Sequence, residues 1–211
     1  MEKSSPEIRE YIENVLLPKY AGIGGHTDEH IRQVIERSAI FMEQAGDVNP
    51  DMVFLIAAYH DLGRLIDNDT HNFESAKMLR ADDFLKQRFS AEEIEIMAQA
   101  VEDHRSSLGH EPRSIYGKIV SSADRNTNMD VALARVYDYN KHLHPDATEE
   151  EIMEECRYRL RIKYSPDGYA SNTMYFDDPN FKDFLVETER ITRTIEDFTA
   201  AMLEVNRKRG K

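Results

Sequence analysis

The stretch Met52-Val53-Phe54-Leu55-Ile56-Ala57-Ala58-Tyr59 runs directly into His60-Asp61-Leu62-Gly63, and its reading decides the fold. Asn49-Pro50 in front of it is a helix start, with a side-chain cap followed by proline at an opening position. A helix with no polar face belongs at the centre of a protein, surrounded by other elements. This one stops on an imidazole and a carboxylate. Neighbouring side chains on a helix point about 100° apart, so a His-Asp pair can serve one point in space only where the helix ends. Gly63 is expected to supply that end.

Working outward, the remaining segments also read as helices. Ser5 and Pro6 open a first one carrying Ile8, Tyr11, Ile12, Val15 and Leu16 at helical spacing. Gly22, Gly24 and Gly25 then interrupt the chain. Thr27 caps a helix whose apolar stripe is Ile31, Val34, Ile35, Ser38, Phe41, Met42 and Ala45, ended by Gly46. A helix is expected over 72–89. Ser90 and Glu93 form a capping box for the next, whose stripe of Ile94, Met97, Ala100 and Val101 continues to His104. Another is expected from Ile115 through Asp124 to about residue 139. Thr148 and Glu151 form a second capping box, and one long last helix is expected from Pro179 past Leu203. Residues 164–180 read as loop. With no alternating strand pattern, the expectation is an all-α single domain over 1–211. Its motif-bearing core is placed at about 26–137, with 138–211 as a helical extension packed on that core.

Composition narrows the chemistry. The 27 basic against 40 acidic residues leave a formal charge of −13, which disfavours a nucleic-acid polymer or an anionic membrane as partner. One Cys excludes an intramolecular disulfide framework and a cysteine-based zinc ribbon, and fits a reducing cytoplasm. The N-terminal stretch has no apolar signal-peptide core, and no run approaches a membrane span. Eight histidines remain. If a metal is held, histidines and carboxylates hold it, and that mixed set suits Zn, Mn, Fe or Ni without choosing among them.

Five of those histidines, His26, His30, His60, His71 and His104, fall between residues 26 and 104. A lone His-Asp pair at a helix end is more often a capping accident than a metal site. Here His30 stands upstream on an amphipathic helix, and Asp124 ends an apolar stripe where a carboxylate should not be buried without a partner. The set resembles the HD superfamily of metal-dependent phosphohydrolases. Four phrases carry the likeness: His26-Thr27-Asp28-Glu29-His30, Ala57-Ala58-Tyr59-His60-Asp61-Leu62-Gly63, Glu102-Asp103-His104-Arg105, and Ser122-Ala123-Asp124-Arg125. Each alone is weak, and four in the family's order are specific. The nearest members are small stand-alone bacterial HD proteins without an agreed substrate.

The resemblance implies an HD-like helical bundle with a metal site among its central helices, and His30, His60, Asp61 and Asp124 as primary ligands. It implies one or two divalent ions per chain, with Mn, Fe, Ni, Co, Mg and Zn all open. His26 would line the site one turn before His30, or sit on an exposed first turn. His71 could ligate a second ion or merely open a helix. His104 could bind a second ion, a phosphate oxygen or a leaving group, or be a hydrogen-bonded core histidine. Many members carry a Lys three residues after the Asp of the pair, and this chain has Arg64. Arginine keeps the charge and adds a fork of donors but cannot transfer a proton. After Asp124 these members continue with Leu-Asp, where this chain has Asn126-Thr127, which alters what orients the ligands.

The implied chemistry is hydrolysis of a small phosphoester, a nucleotide or nucleotide derivative, by water activated at the metal. Asp61 would ligate and also orient or deprotonate that water. His104 and Arg64 would assist it, and Arg64, Arg105 and Arg125 would neutralise phosphate charge. Two other readings stay open. One is a di-iron oxygenase on the same ligands, which would require His71 and His104. The other is a non-catalytic nucleotide- or metal-binding regulatory module, disfavoured by a length with no room for a sensory or output domain. The basic run Arg157 to Lys163 is read as a helix balancing its acidic first turn rather than as a closing element. The last helix has apolar positions enough to pack on its own core or on a second copy, so a homodimer stays open.

Overall fold

Asn49 opens the central helix by accepting a hydrogen bond from the Asp51 backbone, and Pro50 follows at its first position. The computed structural model describes residues 1, 3–23, 27–171 and 173–210. Among these every regular element is a helix or a helical turn, as expected of an all-α chain. The elements group into two compact units, Met1–Asp124 and Arg125–Lys211.

The first unit contains α1 (Pro6–Tyr11), α2 (Asp28–Ala45), α3 (Pro50–Tyr59), α4 (His71–Ala81), α5 (Asp83–Lys86), α6 (Ala91–Glu102) and α7 (Ile115–Ala123). All of Met52 to Tyr59 is buried. Helix α3 is the hub, packed against α2, α4, α6 and α7. The expected stripe of α2 (Ile31, Val34, Ile35, Ser38, Phe41, Met42) faces inward, as does that of α6. Among the described residues no helix is long and apolar enough to cross a membrane.

The helix expected over 72–89 is two helices. Asp82 leaves the helical conformation, and its carboxylate accepts from the backbones of Phe84 and Leu85, capping α5. The same carboxylate takes the hydroxyls of Tyr11 and Tyr59. A local propensity for one long helix loses to a tertiary anchor for that side chain.

The second unit holds α8 (Met129–Leu143), α9 (Glu149–Tyr164), α10 (Pro179–Ile191) and α11 (Ile195–Lys208). Its own core includes Leu133, Ile152, Cys156, Phe181, Phe184, Phe198 and Met202. Two expected helices are again shorter. The one through Asp124 ends at Ala123, and Asn128 starts α8 by accepting from Val131. The last is broken at 192–194, where Thr194 accepts from Asp197 and begins α11. Both breaks use short polar side chains that compete with the helical backbone for its own amides. In the basic run, Arg157 and Arg159 pair with Glu154 and Glu155, and Arg157 and Arg161 also donate to the Thr192 carbonyl. That matches the charge-balancing reading at Glu154 and Glu155, whereas Glu149 of the first turn pairs with Lys141.

Candidate metal centre

The end of α3 lets two adjacent residues face one place. His60 still has helical angles, whereas Asp61 leaves them with φ −109° and ψ 1°. His60 Nε2 lies 3.3 Å from Asp61 Oδ2. The pair is 0% and 1% exposed. Gly63 does not work through a left-handed conformation, which among the described glycines only Gly46 and Gly210 adopt. It is there for lack of room. A Cβ at Gly63 would stand 2.1 Å from the His71 carbonyl and 2.6 Å from the Ser75 amide. The Gly63 amide donates to Ser75 Oγ at 2.7 Å, drawing the start of α4 against the His-Asp turn.

Around that turn, His30 comes from the first turn of α2 and Asp124 caps the C-terminus of α7. His30 Nε2 is 3.2 Å from Asp124 Oδ1 and 3.9 Å from Asp61 Oδ2. His60 Nε2 is 3.7 Å from Asp124 Oδ1. His30, His60, Asp61 and Asp124 therefore converge. On the other side, His71 opens α4 and His104 follows α6. His71 Nε2 is 3.3 Å and His104 Nε2 3.7 Å from Asp61 Oδ1, and the two nitrogens are 3.2 Å apart. Asp61 thus shows one oxygen to each group.

Three of these rings have their tautomer set by the backbone. Nδ1 of His60, His71 and His104 lies 2.7, 2.8 and 2.7 Å from the carbonyls of Ala57, Asn68 and Val101. A carbonyl can only accept, so Nδ1 carries a proton and Nε2 turns into the site, with a lone pair whenever the ring is neutral. Such a second contact is what orients a metal-ligating histidine.

The electrostatics are unusual. Burial disfavours a charged His60, but Asp61 and Asp124 outweigh it and raise its pKa to about 10. Burial and the neighbouring His60 push His104 down to about 3. Burial and Arg64 push His71 down. Asp124 is held well below the ordinary range, because His30 and His60 overcome the burial that opposes its charge. In the second group, two neutral imidazoles therefore turn lone pairs toward each other, an arrangement a cation between them would relieve.

Donor atoms of His30, His60 and Asp124, and of His60, Asp61 and His104, each lie within 4.8 Å of one another. His60 Nε2 is buried with no hydrogen-bond partner among the described residues. The donor set fits a divalent ion, and these residues could hold one. The model of the HD domain family matches residues 27–129.

Residues 27–129 are an HD domain. HD domains are generally metal-dependent hydrolases, which agrees with the donor set at the end of α3. No curated protein and no solved structure matches the chain.

The arginines of this HD domain have specific partners. Arg64 Nε donates to Asp61 Oδ1 at 2.8 Å, one Nη bonds Asn68 Oδ1, and the other lies 3.4 Å from His71 Nε2. Arg105 donates to the Asp69 carbonyl at 2.6 Å, tying the His104 turn to the loop that leads into His71. Arg125 begins the second unit, where it donates to the Thr173 carbonyl and hydroxyl at 3.1 and 2.5 Å. His26 lies outside the described residues. His110, His142 and His144 are exposed.

Several supports left no signal in the sequence. The Tyr20 hydroxyl donates to the Ala58 carbonyl at 2.8 Å from a buried position, fixing the end of α3. Buried Asp103 accepts a fork from Arg113, which locks the loop after His104. Arg37 donates to the Ser122 carbonyl at 3.3 Å, just before Asp124. Only the adjacency of Asp103 to His104 hinted at any of these.

Proposed function

We propose that this HD domain is a metal-dependent phosphohydrolase acting on a small phosphoester, a nucleotide or nucleotide derivative. The observation that carries the reading is Asp61, buried and flanked by His30 and His60 at Oδ2 and by His71 and His104 at Oδ1, with Asp124 on the far side of His30 and His60. His30, His60, Asp61 and Asp124 would hold the first ion, and His71 and His104 with Asp61 a second. A divalent ion supplies charge that polarises a phosphoryl oxygen and brings the pKa of a water toward neutrality.

The chain's own residues do the rest. Asp61, a carboxylate at the floor of the site, orients a water by accepting its proton in a hydrogen bond. His71 and His104 keep Nε2 unprotonated, their backbone contacts holding the proton on Nδ1, whereas His60 would give up its Nε2 proton as an ion binds. Arg64, 18% exposed, is the cation placed to meet phosphate oxygens. Local cations matter because the chain's net charge of −13 repels an anionic substrate at longer range. The compact site and the acidic surface favour a small phosphate over a polymer.

The test is a panel of phosphomonoesters, nucleotides and phosphodiesters with Mn, Mg, Co or Ni. Phosphate or nucleoside release abolished by Asp61→Ala is the expected result, and activity that survives the substitution moves the chemistry elsewhere. A di-iron oxygenase is the second reading. It is favoured by His71 and His104 both reaching Asp61 Oδ1, the requirement that reading imposes. Iron-dependent oxygen consumption in place of phosphate release identifies it.

A further inference from the structure

Arg64 does more than border the site. Its Nε donates to the same Asp61 oxygen that His71 and His104 face, whereas Oδ2 looks toward His30 and His60. The guanidinium is pinned at three corners, by Asp61 through Nε, by Asn68 through one Nη, and against His71 through the other. It therefore stands where a second cation would draw on Asp61 Oδ1 and His71 Nε2. An arginine is permanently charged and its planar fork makes directed bonds, so it cannot vacate the place by losing a proton as a lysine could. Two cations that depend on the same lone pairs exclude one another, through repulsion and through loss of the shared acceptor.

We propose that Arg64 is a built-in cation that competes with a second divalent ion for Oδ1 of Asp61, and thereby sets whether the site holds one ion or two. The inference rests on the metal-site reading above. In the one-ion form, Arg64 neutralises the outward oxygen of Asp61 and keeps the carboxylate oriented toward His60. In the two-ion form, Asp61 Oδ1, His71 and His104 face the second ion, and the Arg64–Asp61 bond is broken. The frequent lysine of the family, a point charge on a flexible stem, lacks this three-cornered grip, so the nuclearity control follows from this chain's own residue.

Mn²⁺ titration of the purified protein tests the idea, with bound ions counted by equilibrium dialysis and a coupled Mn–Mn pair read by electron paramagnetic resonance. The wild type is expected to take one ion tightly and a second at least about tenfold more weakly. Arg64→Met should tighten the second ion about tenfold or more, so that the coupled spectrum appears at lower Mn²⁺. Arg64→Gln should do the same, and stands in if the Met variant does not fold. His71→Ala should lose the second ion and keep the first. A second-ion affinity unchanged or weakened in the Arg64 variants overturns the inference and leaves the metal site standing, as does a single bound ion in every variant. Failure of the wild type to bind Mn²⁺ overturns the site reading, and this inference with it.

Discussion

Nε2 of His71 and Nε2 of His104 stand 3.2 Å apart, while Nδ1 of each is engaged by a backbone carbonyl. Both rings are held neutral, so two lone pairs face each other in a buried site. The pair is a cost of the metal-free fold. His71→Gln replaces the imidazole lone pair with an amide whose NH2 can donate to His104, and the metal-free variant should melt within about 2 °C of the wild type, or above it. For one ion at about a hundred times its Kd, binding is worth about 2.7 kcal/mol, or roughly 5–10 °C for a chain of this size. Calorimetry with excess Mn²⁺ should show that shift in the wild type and a smaller one in the variant. Equal shifts in the two would remove His71 from the site.

Asp61 and Asp124 should separate in the same kind of experiment. Asp61 touches both groups of donors, whereas Asp124 lies against His30 and His60 alone. Asp61→Ala should abolish ion binding and lower phosphoester hydrolysis by about 100-fold or more, the scale on which metal-ligand losses act. Asp124→Ala should weaken the ion at His30 and His60 and leave the one at His71 and His104. Dialysis stoichiometry that is identical for the two variants contradicts this division.

A dependence on pH follows from His60. Its folded pKa of about 10 lies above the ordinary 6.5, so its proton stabilises the metal-free fold. That contribution is fully present below about pH 6.5 and is lost as pH rises through about 10. Chemical denaturation of metal-free protein should show stability falling between pH 7 and 10. His60→Gln should flatten that slope. Ion affinity should run the opposite way, rising with pH over the same window, because the ion must displace the proton. A metal-free stability that stays level or rises from pH 7 to 10 would contradict the assigned protonation.

Gly63→Ala tests the packing behind the site. The new methyl meets the backbone of α4, not a side chain that can turn away. The variant should lose about 1–3 kcal/mol of stability, the usual cost of overpacking. His71 moves with the start of α4, so binding of the second ion should weaken while the first is kept. A variant as stable as the wild type, with both ions bound normally, would show that α4 yields freely.

Much of this was legible beforehand because it is local. An apolar run with no polar side must be buried, and a His-Asp pair at its end must share one direction once the helix stops. The capping boxes of Ser90–Glu93 and Thr148–Glu151 form as read, since each is closed by residues three apart. The all-α class followed from helical periodicity along the chain, and the HD likeness from four short phrases. The helix expected over 72–89 is broken instead because Asp82 is claimed by Tyr11 and Tyr59, residues far away in the chain.

The sequence by itself determined which side chains have the chemistry to hold an ion, and that one buried helix presents the central pair. Periodicity and residue type suffice for that, being properties of the chain alone. Only the tertiary structure decided that His71 and His104 share the outer oxygen of Asp61. It also decided that Arg64 reaches that oxygen first, and that Arg105 grips a backbone carbonyl at Asp69. These are meetings between segments tens of residues apart, or choices among several nearby partners. Distance and burial settle them, and neither is written in local spacing.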